Sequence, residues 1–528
     1  MAANLIKVKE YKRKLENYDI NSFTNADNSF LHFLQRIQVT RFRHVKDLDI
    51  SFEHPVSVIA GTNKIGKTSI LLLMACSFEE FWRYDSTKPE TEFKRATWRD
   101  VISFTKNETD NGGYSYQLWW RVGTNNRLHG IGKRNTGARK SWTGLGKSSK
   151  HERTNAKIKR RHIRFIDLER MLPARDFTRR LNYKASIAAK EEVSENIIKY
   201  FCYILEISET IKIYQTGSHI NKRAFLIEKT INGAAESYSS YNAASGEEAL
   251  LNILIDIEEA PKDSLILIDE LECGIHPNVQ RRLAGVIQYI AWTKKQQFIL
   301  TTHSATLLSA FPQKSRKLID VGPDGKYCVI SKPAVNTVFS KMDSVAHPLV
   351  SLYCEDGLAK YIIKQMFVQI NLEKKYFDRL VNIVISGVVN EVENDYKRHK
   401  RNFDQFIPKK GYCCVFDGDY QANPKYSGYH NNENDFAFFL YPYTAPEKFL
   451  IGAYLQQHPN RTLTSFMQYE DHHQGFEKMV ELGLAADANE ALNRCWTIFK
   501  TTPDYAKLFD EFQKFIFRTI GHFSNLAD

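Results

Sequence analysis

The sequence predicts an α/β protein in which a large unit built on a mostly parallel sheet precedes a second, smaller α/β unit and a helical tail. Three observations predict this. Short, wholly apolar runs alternate with helix-type patterns through the first part of the chain, a glycine-rich loop lies between one such run and a helix, and a second strand and helix series begins at Val350. The 528 residues exceed one ordinary core, so two or three domains are expected. A hydrophobic fraction of 43% can fill such cores, which excludes disordered and collagen-like classes.

Residues 1–34 form a charged, partly helical extension. Ile37, Val39, Phe42, Leu48, Ile50 and Phe52 alternate as in strands, Pro55–Ala60 is a buried-strand run, and Ser69–Trp82 has a helical pattern. Residues 86–165 are a variable stretch with a basic insertion at about 123–164. It holds Lys133-Arg134, Arg139-Lys140 and Lys157-Ile158-Lys159-Arg160-Arg161, and from Arg127 to Arg164 Glu152 is its only acid. With a net charge of +12, a polyanionic partner is favoured, and the insertion reads either as a solvated loop or as a DNA-contacting arm. Residues 166–230 are expected to be mainly helical, most clearly Glu191–Leu205. Leu265–Ile268 and Phe298–Leu300 are buried-strand runs separated by a helix over Gln280–Trp292, the alternation of a parallel sheet. Ala334–His347 is loop-like, and the domain boundary is placed near 345.

Beyond it, strands are expected at Val350–Cys354, Val381–Ile385 and Tyr412–Phe416, and helices at Leu358–Gln369 and Val392–Phe406. From Phe449 onward the pattern is helical. No run of about 18 apolar residues occurs, and Met1–Leu15 alternates Lys, Glu and Arg, so a soluble, cytoplasmic protein without membrane contact is expected. Eight cysteines without a C-x-x-C pair are expected to be reduced core residues, not disulfides or zinc ligands.

Gly61-Thr62-Asn63-Lys64-Ile65-Gly66-Lys67-Thr68 fits G-x4-G-K-[ST] between a strand and a helix. Gly61, Asn63, Gly66 and Ser69 belong to a loop and helix start whose N–H groups can wrap phosphates, Lys67 reaches the outer phosphates, and Thr68 can hold Mg²⁺. Asp269, at the end of the Leu265–Ile268 run, can bind that Mg²⁺, and Glu270 can polarise the attacking water.

Further along, Ser245-Gly246-Glu247-Glu248 resembles the signature loop of ABC-type ATPases, Gly274-Ile275-His276-Pro277 the D-loop region, and Thr301-Thr302-His303-Ser304 the switch histidine of the ABC ATPases in SMC, RecF and OLD proteins. The resemblance implies an ABC-type P-loop ATPase domain over 35–345. With one phosphate loop per chain, it also implies a head-to-tail dimer in which Ser245, Gly246 and Glu247 close on the partner's ATP. Gln117 is the candidate for the glutamine loop.

In the second unit, Glu355 follows one strand and Asp417-Gly418-Asp419 ends another, so the three carboxylates can converge at the carboxyl edge of a parallel sheet, with Asp417 and Asp419 on one face. Such hard oxygen ligands suit Mg²⁺ or Mn²⁺. The pattern resembles the TOPRIM domain, a small Rossmann-like fold expected here over 346–450 with a helical region over 451–528. The order ABC ATPase then TOPRIM resembles the OLD family, members of which act in antiphage defence beside a helicase in Gabija or a reverse transcriptase and its small DNA in retrons. The resemblance implies an ATP-regulated, metal-dependent nuclease, acting on DNA or alternatively on RNA such as tRNA. In it Glu355, Asp417 and Asp419 hold the catalytic metal and Glu447 serves a second one. Another alternative is an ATP-driven scaffold with a degenerate TOPRIM domain. The sequence departs from the pattern where Glu355 is followed by Asp356-Gly357 and where Lys360 stands near a usual acid. Lys500 and Lys514 are the candidates for a C-terminal catalytic lysine.

Overall fold

The computed structural model describes residues 2–20, 30–78, 81–83, 94–96, 113–123, 126–134, 142–143, 161–168, 190–216, 224–231, 234–322, 325–342, 347–374, 376–405, 410–430, 435–441 and 443–527. The chain divides into two compact units, Met1–Val338 and Phe339–Asp528.

In the first unit the central sheet runs in the order Tyr327–Ser331, Arg316–Val321, Val56–Ala60, Gln297–Thr301, Leu265–Ile268, Ile163–Ile166, Phe81–Arg83, Lys94–Ala96. Its inner strands are parallel and its two edge strands antiparallel. Every residue of Val56–Ala60, Ile163–Ile166, Leu265–Ile268 and Gln297–Thr301 is buried, which is why these runs carry no polar alternation. The helix Pro277–Lys294 makes the crossover that the parallel neighbours Leu265–Ile268 and Gln297–Thr301 require.

Two antiparallel sheets complete the unit. One has the order Val45–Ser51, His32–Phe42, Tyr114–Val122, Asn126–Arg134, Trp142–Thr143, and the other runs Lys190–Glu192, Thr210–Thr216, Ala224–Ile231, Ala234–Ser239. Gln297 ties the first of these to the central sheet, its Oε1 accepting from Leu34 N and its Nε2 donating to Leu34 O, both at 2.8 Å.

Three expectations are corrected here. The stretch 166–230 is helical among its described residues only at Glu195–Leu205, apart from a single turn at Leu168; Thr210–Thr216 and Ala224–Ile231 are strands, because Ile211 and Ile213 alternate with polar residues at period two. Val335–Met342 is a helix where a loop was expected. The basic segment is in part structural. Asn126–Arg134 is a strand, and Ile163–Ile166 lies in the central sheet. Arg161 is buried and donates to Asp263 O, Gln297 Oε1 and His32 O, while buried Arg164 lies 3.9 Å from Asp256. These two guanidiniums hold the fold and do not face a polyanion. Arg139-Lys140 and Lys157–Arg160 lie outside the described residues.

The second unit is a parallel sheet in the order Val381–Ile385, Val350–Cys354, Gly411–Asp417, Ala437–Leu440. Helices Gly357–Glu373 and Val389–Asn402 make the crossovers, and Pro446–Gln457 starts the helical remainder. That remainder shares one core with the sheet: Leu352 and Val415 belong to the same buried cluster as Phe512 and Ile516 of the helix Pro503–Ala527. No helix among the described residues is long and apolar enough to cross a membrane. None of the eight cysteines forms a disulfide, and six are buried.

Candidate nucleotide and carboxylate sites

Parallel register brings three strand ends level, since Thr301 pairs with Ile59 and Leu300 with Ile268. The loops leaving them therefore meet at one edge. Gly66 adopts φ 94°, and a Cβ there would stand 2.6 Å from Val45 Cγ2, so only glycine turns the chain into the helix Lys67–Cys76. The N–H groups of that helix start have no partner in its own first turn and point into the loop. Lys67 Nζ donates to Gly61 O at 2.9 Å and Thr62 O at 3.1 Å. Burial lowers its pKa, against the pull of Glu270, Asp269 and Glu272.

Asp269 accepts from Thr68 Oγ1 at 2.8 Å and from Thr301 Oγ1 at 2.7 Å. The Thr68 hydroxyl and the Asp269 carboxylate thus form the oxygen pair that a hydrated Mg²⁺ takes in phosphate-loop enzymes. Glu270 sits at φ 46°, a left-handed backbone unusual for its type, with its N–H donating to Thr301 Oγ1 at 2.9 Å. Its Oε2 accepts from Cys273 Sγ at 3.2 Å, and its Oε1 lies 4.0 Å from His303 Nε2. Burial first, then Lys67, lowers the His303 pKa, favouring the neutral ring. Glu272 fixes the histidine backbone by accepting from Thr302 Oγ1 at 2.8 Å and from His303 N.

The structure therefore gathers Gly61, Gly66, Lys67, Thr68, Asp269, Glu270 and His303. Asn63 is an exposed loop residue, and buried Ser69 accepts from Arg43 Nη1 at 3.2 Å. Ser245, Gly246 and Glu247 open the helix Ser245–Glu259, and Glu247 accepts from Tyr238 OH at 3.3 Å. Gly246 lies so close to the next loop that a Cβ would stand 2.7 Å from Gly274 O. Gln117 lies within an antiparallel strand, paired with Gln38 and Ile131, and not in a loop of the central sheet. Sequence reasoning missed the positioning roles of Thr301 and Glu272. The Thr301-Thr302 pair was a visible signal; Glu272 offered none.

In the second unit Glu355 follows Cys354 and Asp417 ends Gly411–Asp417. Asp419 does not share that strand, contrary to expectation: Gly418–Ala422 is a 3-10 turn. Only glycine fits at the start of that turn, because a Cβ at Gly418 would collide with the carbonyl oxygens of Leu440 and Tyr441. Gly418→Ala is accordingly expected to destabilise the protein by about 3 kcal/mol or more, measured by urea denaturation. Glu447 reaches the same neighbourhood from the first turn of Pro446–Gln457.

Burial, then the charges of Glu355, Asp356, Asp419 and Glu447, push the Asp417 carboxyl up to about 9. Burial, then Asp356 and Asp419, push Glu355 up to about 7. Glu355 Oε2, Asp417 Oδ1 and Glu447 Oε2 are buried without a hydrogen-bond partner. Mutual repulsion together with orphaned oxygens is the condition a divalent cation relieves, so these residues fit an oxygen-liganded ion. Tyr420 OH donates to Glu355 Oε1 at 3.4 Å, and Asp356 caps the helix Gly357–Glu373 through Ala359 N at 2.8 Å. Sequence reasoning missed His472 and His473, whose nitrogens lie beside Glu447. Lys514 pairs with Asp510 at 2.6 Å, and Lys500 ends the helix Ala488–Phe499.

The sign of the pH dependence follows. A carboxyl raised in the folded state holds its proton longer than in the unfolded chain, so metal-free stability falls as pH rises from the ordinary carboxylate range through the raised values. A cation competes with that proton. The rise in melting temperature produced by Mg²⁺ or Mn²⁺ is therefore expected to be larger at about pH 8.5 than at about pH 6, as measured by thermal melts with and without chelator.

Residues 148–309 match the family described as "AAA domain, putative AbiEii toxin, Type IV TA system", a span that contains Asp269, Glu270 and His303 and begins after the phosphate loop. No curated protein matches the chain. Among solved structures, the chain is similar to the SMC head domain from Thermotoga maritima, at 14% identity and TM-score 0.33 over 56% of this chain and 98% of that one. It is also similar to an Smc head derived from Pyrococcus furiosus and bound to the C-terminal domain of ScpA, at 12% identity and TM-score 0.35 over 57% and 96%. A third similarity is to the recombination mediator protein RecF with ATP, at 14% identity and TM-score 0.32 over 57% and 98%. These similarities are distant. The phosphate loop, the Thr68, Asp269 and Glu270 arrangement and the family match together support a P-loop ATPase domain in the first unit.

Proposed function

We propose that the protein is an ATP-regulated, metal-dependent nuclease that cleaves nucleic acid, DNA first, as an effector of antiphage defence. The observation that carries this is the carboxylate edge of the second unit, where Glu355, Asp417 and Glu447 each keep a buried oxygen without a partner. Glu355, Asp417 and Asp419 would hold Mg²⁺ or Mn²⁺, which when bound would supply water activation and charge balance for phosphodiester cleavage. The chain's own part is to hold these carboxylates close and partly dehydrated, with Glu355 oriented by Tyr420.

In the ATPase unit, Lys67 and the loop N–H groups bind the phosphates, Thr68 and Asp269 hold Mg²⁺, Glu270 orients water, and His303 reports on the outer phosphate. The single phosphate loop and the Ser245-Gly246-Glu247 turn support a homodimer that closes on ATP. The description of the family matched by residues 148–309 speaks of a toxin and a toxin–antitoxin system, which accords with an effector restrained until triggered. A helicase or a reverse transcriptase with its small DNA is the proposed class of partner, following the OLD resemblance.

The test is to incubate the protein with supercoiled plasmid and, in parallel, with total tRNA, with Mg²⁺ or Mn²⁺ and with or without ATP, beside the Asp417→Ala protein. Cleavage of plasmid that vanishes in the variant supports the proposal. Cleavage of tRNA alone moves the substrate to RNA, and no cleavage of either, with ATP turnover intact, leaves an ATP-driven scaffold.

A further inference from the structure

Glu447 does not stand alone. One ligand atom each from Glu447, His472 and His473 lies within 4.8 Å of the other two. The two histidines sit on a 3-10 turn, His472–Gln474, set by Asp471, whose side chain accepts from His473 N at 3.1 Å. Their rings are 4.2 Å apart between centroids, and His473 Nδ1 is 2.9 Å from Glu447 Oε1. Glu447 is 5% exposed, its Oε2 is buried without a partner, and so is His472 Nε2. A buried carboxylate oxygen and a buried imidazole nitrogen left unsatisfied in one cluster are costly unless something satisfies them.

We propose that Glu447, His472 and His473 form a mixed nitrogen and oxygen site for a borderline transition-metal dication such as Zn²⁺, Mn²⁺ or Co²⁺, sharing Glu447 with the carboxylate edge but differing from it in ligand chemistry. Two atoms bound to one such ion at about 2.0–2.1 Å can be no more than about 4.2 Å apart, so the three need only a small side-chain contraction to close on it. Imidazole suits these metals and is a poor ligand for Mg²⁺, which demands hard oxygen. Three protein ligands leave a fourth position open for water or a phosphate oxygen, the pattern of catalytic and not of structural sites. The proposal rests on the nuclease reading only for what that open position would face; the metal site itself does not need it.

The experiment is a titration of the full-length, metal-free protein with Co²⁺, followed by its visible absorption, and with Zn²⁺ by calorimetry. Wild type, His472→Ala/His473→Ala and Asp417→Ala are compared, each checked for folding by circular dichroism. The expected result is one class of Co²⁺ and Zn²⁺ binding that weakens at least tenfold in the histidine variant and persists in Asp417→Ala. Equal binding in wild type and the histidine variant, or no Co²⁺ binding beyond what Asp417→Ala removes, overturns the proposal. If the double variant folds poorly, His472→Gln and His473→Gln singly carry the same comparison. Failure of the nuclease reading would appear separately, as intact metal binding without plasmid or tRNA cleavage.

Discussion

Asp417→Asn protein is expected to lose nucleic-acid cleavage by at least about 100-fold, since even partners one shell removed from a metal are worth about 10–100-fold. Its ATP turnover should be unchanged, because the residue belongs to the second compact unit. The same substitution is expected to stabilise the metal-free protein. The folded-state carboxyl is raised to about 9 by burial and by four neighbouring carboxylates, and asparagine removes the charge that this environment opposes. The gain should be small below the ordinary carboxylate range and should grow as pH rises, since the wild type loses stability there through both Asp417 and Glu355 and the variant only through Glu355. Melts in chelator at about pH 6 and about pH 8.5, beside plasmid assays in Mn²⁺, separate the two effects. A variant that loses cleavage and also melts lower at high pH would mean that Asp417 is a structural residue.

Glu270→Gln is expected to bind ATP and hydrolyse it at least about 100-fold more slowly, the scale of losing one preorganised catalytic group. The glutamate is held by its neighbours: Thr301 fixes its backbone, Cys273 takes one oxygen, and His303 stands beside the other. Glutamine keeps that geometry and loses the base. Trapped nucleotide should favour the closed dimer, so light scattering in ATP is expected to show a larger dimer fraction for the variant than for wild type. Lys67→Ala should instead lose ATP binding itself, measured by nucleotide filter binding.

The parts legible in the sequence were those fixed by local chemistry. Leu265–Ile268 reads as a buried strand because all four residues are apolar and a charged pair follows at once. Val350–Cys354 and Val381–Ile385 were read with their observed bounds because both are short, mainly apolar runs rich in β-formers. Gly66 and Lys67 stand out in the residues alone because phosphate binding dictates such a spacing.

What failed depended on distant partners. Arg161 looked like part of a solvated basic run, yet its guanidinium is matched by His32 O, Gln297 Oε1 and Asp263 O, groups more than a hundred residues away. Asp419 was placed on a strand because nothing local shows that the chain turns at Gly418, where the backbone runs close against the carbonyls of Leu440 and Tyr441. His472 and His473 follow no ligand spacing relative to Glu447, and only the packing of one helix on a short turn brings them together. Thr210–Thr216 was a misjudged period, for its alternation was present in the residues themselves.

The contact of Gly246 with Gly274 O has a mechanical meaning. Side chains can absorb a small displacement by changing rotamer, whereas two backbones in van der Waals contact transmit it. The turn that opens the Ser245–Glu259 helix and the segment just after Glu270 are joined in this way within one protomer. In the proposed dimer, a shift of that turn on meeting a neighbour's nucleotide would be handed directly to the stretch that carries Glu270, the proposed water-orienting carboxylate, so that two ATP molecules would be counted together and not one at a time.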